Sequence, residues 1–230
     1  MLIIIDARIP NEAKETLAEI GTVFELSSKD IVYESIKGHP DIFLFQMTDL
    51  VIIAPNAPSD LKDILKKERI PFLVGKSKIA KAYPNTVFYN AVNTRDYIIH
   101  KKGFTDSCIL HQNRKKPFID VSQAYTRCNL LSLPDGSFIT SDKGIESSLL
   151  KNNLEVHCFS PEGILLEAQK HGFIGGCMGI YKSTVYLLGH LGFYHDGERL
   201  DKLLQSKGLT IVELYNGPLF DAGSIFFLNS

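Results

Sequence analysis

Four short stretches of this chain carry residue types able to grip or attack a small polar ligand. They are His39-Pro40-Asp41, Arg127-Cys128-Asn129, Gly175-Gly176-Cys177 and Asp221-Ala222-Gly223-Ser224. A cysteine thiolate is a soft nucleophile, histidine moves protons, and carboxylates hold cations. Together they suit nucleophilic and acid–base chemistry on a small ligand. Each also has a plainer reading. A free cysteine is most often a buried small hydrophobe, Asp41 can cap a strand end beside an exposed His39, and an aspartate before a glycine is a common turn residue. Cys128 holds the same place in its repeat as Cys177, which fits packing as readily as reaction. The histidines are scattered with no HxxxH or paired-cysteine spacing, so no metal site is expected. No GxGxxG or Walker loop occurs, so no cofactor is expected either.

Composition sets the frame for these residues. The 230 residues include 25 Lys and Arg against 26 Asp and Glu, so no net field favours nucleic acid or an anionic membrane, and a small molecule is the expected partner. Cys108, Cys128, Cys158 and Cys177 lack the density of a disulfide scaffold. Reduced thiols and a cytoplasmic location are expected. The N-terminal MLIIID is too short and lacks the basic lead of a secretory signal. No stretch approaches the ~20 apolar residues of a membrane span. No linker marks a boundary, so one domain over 1–230 is expected, with the oligomeric state open.

The elements that must position the candidates emerge from a repeat. His39-Pro40-Asp41-Ile42-Phe43-Leu44-Phe45-Gln46 can be set over Tyr83-Pro84-Asn85-Thr86-Val87-Phe88-Tyr89-Asn90: an aromatic or His, Pro, Asp or Asn, then a β-type run ending in an amide. A third copy opens at Tyr125 and turns at Pro134-Asp135-Gly136. The fourth opens at Ile174, pairs Met178–Tyr181 with Thr184–Leu188, and carries an inserted loop with His190 and His195. In each copy a second strand, a helix and a third strand follow. The expected helices are Ser59–Glu68 (capped by Ser59 or Asp60), one within Thr105–Gln112, Asp142–Asn152 (capped by Asp142) and Glu198–Lys207. The fifth copy begins at Ser224–Leu228 and runs out of chain. Its missing parts stand at the N-terminus as Leu2–Ile5, Asn11–Ile20 and Thr22–Leu26. Starts at His39, Tyr83, Tyr125, Ile174 and Asp221 lie 44, 42, 49 and 47 residues apart, with 48 across the joined termini. The spacing predicts an α/β fold of five ββαβ units closed into a ring, a propeller whose first strands crowd the axis. A doubly wound α/β sheet is the alternative, but there each helix should follow one strand instead of two.

This arrangement resembles the pentein fold, the five-bladed ββαβ propeller of the guanidino-group-modifying superfamily. That group holds arginine and agmatine deiminases, dimethylarginine hydrolases, amidinotransferases and a non-enzymatic ribosome anti-association factor. The resemblance implies a His-x-Asp or His-x-Glu pair, which His39-Pro40-Asp41 is similar to. It also implies a nucleophilic cysteine after a glycine turn near the C-terminus, where Ala222-Gly223-Ser224-Ile225-Phe226-Phe227 stands. Phe227, or Phe226 with the register slipped by one, takes the cysteine's place. The His-x-Asp also falls beside the C-terminal strand, whereas the family's enzymes carry it further round the ring.

Cys177, His39 and Asp41 are therefore the expected catalytic residues. Arg127, Asn85, Asn129, Asp221, Ser224 and His190 are expected to bind the ligand. Acids facing Arg127 suit a guanidino or amino-acid-like molecule with a cation at one end and a carboxylate at the other. Two functions stay open. One is a guanidino- or amidino-binding or -modifying enzyme of the amidinotransferase or deiminase kind, and the other is a non-catalytic pentein that binds a ligand or a macromolecule.

Overall fold

The computed structural model describes residues 1–229. In chain order its strands and helices are β1 (Leu2–Asp6), α1 (Asn11–Ala18), β2 (Thr22–Leu26), α2 (Pro40–Phe43), β3 (Leu44–Gln46), β4 (Val51–Ile53), α3 (Ser59–Lys67) and β5 (Phe72–Val74). These are followed by β6 (Val92–Asn93), β7 (Ile98–His100), α4 (Ser107–Gln112), β8 (Phe118–Asp120), α5 (Thr126–Asn129), β9 (Leu130–Ser132), β10 (Phe138–Thr140), α6 (Lys143–Lys151) and β11 (Val156–Cys158). The chain ends with β12 (Met178–Tyr181), β13 (Thr184–Leu187), α7 (Gly197–Ser206), β14 (Thr210–Glu213) and β15 (Phe226–Leu228). They form five three-stranded sheets: β3-β4-β5, β6-β7-β8, β9-β10-β11, β12-β13-β14 and β15-β1-β2.

Every sheet has the same plan. Its first strand is antiparallel to the second, and the third returns parallel to the second after a helix. A helix is the usual way to carry a chain back for parallel pairing. The helices are short because one apolar stripe is all each must bury. In α3 that stripe is Leu61 and Leu65, and in α7 it is Leu200 and Leu204. The fifth sheet joins the two ends of the chain, with Leu2 opposite Leu228, Ile3 opposite Phe227 and Ile4 opposite Phe226. The repeat had assigned β15 its partner correctly.

The first strands differ from expectation in how they begin. Pro40 fits the first turn of a helix, and the run after His39 winds through α2 before extending at Leu44. α5 and a 3-10 turn over Ile174–Cys177 do the same for β9 and β12. Tyr83-Pro84-Asn85 is an exposed turn, so the second copy was aligned too early and its first strand is only β6. Neither Ser59 nor Asp60 caps α3, since Pro58 holds the cap position and Asp60 accepts from its neighbour Leu61 N at 2.9 Å. Asp142 does cap α6, accepting from Ile145 N at 2.8 Å. Among the described residues no helix is long and apolar enough to cross a membrane.

The five first strands all contribute to the lining of one cavity of about 740 Å³, with residues such as Gln46, Asn93, Ser132, Ile180 and Phe226. The helical turns at the starts of three of those strands gather a buried polar centre.

Candidate functional site

The centre is built around α2 and α5. Pro40 and Asp41 open α2 directly after His39, and Arg127 and Cys128 lie within α5. The Cys128 Sγ donates to Asp41 Oδ2 at 2.8 Å. Asn90 joins the two turns: its Nδ2 donates to Asp41 O at 3.3 Å and to Cys128 Sγ at 3.2 Å, while its Oδ1 accepts from Arg127 N at 2.8 Å. His39, Asp41 and Cys128 each present a donor atom, and these atoms lie within 4.8 Å of one another. Among the described residues they are the one such group close enough to hold a metal ion, and S, N and O donors together suit zinc. His39 and Asp41 form one local His-x-Asp pair, but Cys128 comes from 87 residues further on, so no metal-ligand spacing in the sequence announces the group.

Two more carboxylates border it. Asp6, at the end of β1, lies 4.0 Å from His39 Nε2 and is clasped by Arg8, whose Nη2 sits 2.6 Å from Asp6 Oδ2. Asp221 accepts from Phe173 N at 2.9 Å and Gly223 N at 3.1 Å. Glycines permit this crowding. A Cβ on Gly176 would lie 1.8 Å from Asp221 Oδ1, and one on Gly223, whose φ is +67°, would lie 2.4 Å from His39 Cβ.

Burial governs the protonation of the centre, since a low-dielectric site disfavours charge. It pushes Asp41 up to about 6 against the opposing pull of Cys128, Arg127 and Asn90. Burial, reinforced by the Asp41 charge, pushes Asp221 up to about 8. His39 is held down to about 4 by burial, although Asp6 favours its charged form. The Cys128 thiol is raised well above its ordinary value by burial and then by Asp41 and Asp221. Unmet hydrogen-bonding capacity accompanies these shifts. Both ring nitrogens of His39 and the Oδ1 of Asp41 are buried without a partner among the described residues. Such orphaned groups each cost on the order of 1–3 kcal/mol, and a ligand with donors and positive charge would satisfy the carboxylate.

A cover closes the centre. The Tyr33 hydroxyl meets the Tyr125 hydroxyl at 3.0 Å, and that in turn meets Thr86 Oγ1 at 2.5 Å. Burial raises the Tyr33 phenol, with Cys128, Asp221 and Asp41 adding to the rise. Arg8 ties the cover down through Glu34 O at 3.0 Å, Ser35 O at 2.9 Å and Glu167 Oε2 at 3.4 Å.

The other residues singled out in the sequence divide around this centre. Cys177 stands apart from His39 and Asp41: it is fully buried in an apolar cluster with Leu131 and Met178, and its Sγ donates to Phe173 O at 3.4 Å. Cys128 supplies the thiol at the His-Asp pair. Asn85 is exposed, and Asn90 supplies the amide. The amide that ends the β-type run Thr86-Val87-Phe88-Tyr89-Asn90 carries that signal in the sequence, and the Tyr83-Pro84 dipeptide does not. Asn129 is buried and internally satisfied by Tyr125 O and Ser141 Oγ. Ser224 is buried with φ +71°, its Oγ bound to Gly175 O at 2.9 Å. His190 packs on Phe193 and lies 3.3 Å from Glu213, outside the centre. Arg127 faces the 740 Å³ cavity, which His39, Asp41 and Asp221 do not line.

The cover makes cysteine labelling informative. Cys108 and Cys158 are half-buried, whereas Cys128 and Cys177 are buried. Native protein treated with iodoacetamide should react first at Cys108 and Cys158. Arg8→Ala, which unties the cover, should raise the Cys128 rate by about tenfold or more and leave Cys177 protected, because packed thiols react only on opening. Peptide mass mapping reads this out. Equal Cys128 rates in both proteins would show that Arg8 does not hold the cover.

Comparison with known proteins agrees with this fold. SxtG, an amidinotransferase from Microseira wollei in the saxitoxin biosynthetic pathway, superposes with a TM-score of 0.54 at 13% identity, over 88% of this chain and 76% of that one. A dimethylarginine dimethylaminohydrolase from Pseudomonas aeruginosa, solved with citrulline, gives 0.55 at 10% identity over 88% and 78%. The inosamine-phosphate amidinotransferase StrB1 from Streptomyces griseus gives 0.54 at 12% identity over 91% and 77%. All three are penteins, and this chain is a divergent bearer of their fold. No curated protein matches the sequence. A family model matches residues 4–226, nearly the whole chain, and the protein therefore belongs to that family, described as a family of unknown function (DUF6873).

Proposed function

We propose that this protein binds a guanidino or amidino compound at the buried centre and modifies it through Cys128, with its five sheets closed into the pentein propeller. The observation that carries this reading is the pair of buried acids, Asp41 and Asp221: burial pushes both up, the Asp41 charge pushes Asp221 further, and neither has a cationic side chain bonded to it among the described residues. A planar cation placed between them would relieve that repulsion and fill the unmet Oδ1 of Asp41.

The chemistry follows from the residues beside the acids. The Cys128 sulfur attacks the guanidinium carbon and forms a C–S bond. Its proton, shared with Asp41, passes to His39, which delivers it to the nitrogen whose C–N bond breaks. An amine leaves and an amidino group stays on sulfur, to be taken by water or by a second amine. The thiol here comes from the third sheet. The C-terminal strand instead places Phe227 against Tyr181 and Tyr186, with ring centroids at 5.6 and 5.0 Å. Four free thiols suit a reducing cytoplasm.

Thermal denaturation with arginine, agmatine and guanidinoacetate, with lysine as control, tests the reading. A guanidine at a hundred times its Kd should add about 3 kcal/mol, or roughly 5–10 °C in Tm. Binding should tighten as pH rises toward 8, because the cation must displace a proton from Asp221. Asp41→Asn should remove the stabilisation, and Cys128→Ser should keep binding while abolishing any covalent amidino adduct seen by mass spectrometry. Folded wild-type protein that no guanidine stabilises would leave the non-catalytic pentein as the better account.

A further inference from the structure

The buried centre uses only one end of the space between the first strands. At the other end lies the cavity of about 740 Å³, within the size range of small-molecule sites. Arg127 reaches into it from α5. Its Nη1 is buried with no hydrogen-bond partner among the described residues, and its guanidinium carbon lies 5.4 Å from the centre of the Phe226 ring. Asp41, the acid whose field it feels, spends Oδ2 on Cys128 and leaves Oδ1 unbonded, so the two do not satisfy each other.

Every other charge on the cavity wall is already engaged. Lys116 Nζ donates to Asn93 Oδ1 and Thr94 O, each at 2.6 Å. Arg95 pairs with Asp96 at 3.3 Å, and Asp135 with Lys207 at 2.8 Å. Arg127 is thus the one wall cation whose side chain makes no hydrogen bond or ion pair among the described residues. The Phe226 ring lies against it, and Leu131, Ile180 and Ile225 line the cavity together with polar residues such as Gln46, Asn93 and Ser132.

We propose that this cavity binds a small organic acid, a single carboxylate on an apolar body, with the carboxylate held by Arg127. The guanidinium fork matches a carboxylate with two parallel hydrogen bonds, and a desolvated, unpaired cation gains most from such a partner. One free cation matches one negative charge. Asp96 and Asp135 on the same wall oppose a phosphate or polyanion. The ligand's apolar part would lie on Phe226 and the aliphatic wall. This site does not rest on the guanidino reading, because none of His39, Asp41, Asp221 or Cys128 lines the cavity.

Calorimetric titration of the full chain with 3-phenylpropionate tests the proposal, with 3-phenylpropanamide as the uncharged control and inorganic phosphate as a second arm. Saturable binding of the acid is expected, with amide and phosphate at least about tenfold weaker. Arg127→Met should weaken the acid on the order of ten- to hundredfold. Ser132→Phe, which fills the wall and leaves Arg127 in place, should block the acid too and guards against reading a misfolded Arg127 variant as lost binding. Cys128→Ser should bind the acid as wild type does. Equal binding of acid and amide, tighter binding of phosphate, wild-type affinity in a folded Arg127→Met, or no saturable binding of the acid to wild type would each overturn it.

Discussion

Truncation after Ile225 leaves a chain that does not fold. The residues lost include Phe226, Phe227 and Leu228, which are 2%, 6% and 3% exposed and form the whole of β15. Phe226 packs in the cluster with Ile4 and Phe45, and Phe227 in the one with Ile3 and Ile5, so two apolar clusters open at once. Truncating one buried phenylalanine costs about 3–5 kcal/mol. Two of them, a leucine and the ladder to β1 together reach roughly the 5–15 kcal/mol that holds a typical domain together. Far-UV circular dichroism and urea denaturation of the truncated chain check this, and Phe226→Ala supplies a milder version with a midpoint that can still be measured. A truncated chain that melts cooperatively at the wild-type midpoint would refute the role given to β15.

Between pH 6.5 and 8 the protein loses about 2 kcal/mol of stability, and Asp221→Asn abolishes the loss. The folded state holds Asp221 at about 8 against an ordinary 3.8, so across this window the native state binds a proton that the unfolded state has released. Stability from such a group is complete below the unfolded value and drains as pH rises through the folded one. Asp41 acts in the same sense but finishes near 6. His39 and His100, both held near 4 by burial, act in the opposite sense between about 4 and 6.5, where the unfolded chain protonates them first. Two acids and two histidines therefore roughly cancel below pH 6, and Asp221 alone sets the slope above 6.5. One and a half pH units at about 1.4 kcal/mol each give the stated loss. Urea midpoints at a series of pH values measure it, and a flat wild-type profile from pH 6.5 to 8 would show that Asp221 is ionised in the folded protein.

The repeat was legible because each unit writes a strong local pattern: Met178–Tyr181 turning into Thr184–Leu187, Asp142 capping α6, Leu61 and Leu65 on one helical face. The pairing of β15 with β1 was legible only by subtraction, from parts missing at one end and spare at the other. The centre was half legible. His39, Asp41 and Asp221 lie at the unit starts that the repeat marks, a few residues ahead of the first strands β3 and β15. Cys128 and Cys177 hold equivalent places in the repeat, and in sequence only Cys177 has a glycine pair before it to favour it as the nucleophile. What separates them is tertiary: Cys128 meets Asp41 across 87 residues of chain, while Cys177 meets a backbone carbonyl four residues away. Asn90 was hidden by the exposed Tyr83-Pro84-Asn85 turn, whose proline imitates that of α2.

The joining of β1 to β15 also orders events in time. Each of the other sheets draws its strands from one continuous stretch and can assemble as that stretch appears. β1 can meet β2 early, but the edge that will receive β15 stays bare until almost all of the remaining chain has been made. That edge carries Leu2, Ile3, Ile4 and Ile5, an apolar strand of the kind that mispairs with other chains when left open. β15, made after every other described strand, thus seals β1, and a nascent chain stalled shortly before Phe226 should be far more prone to aggregate than one in which β15 has emerged.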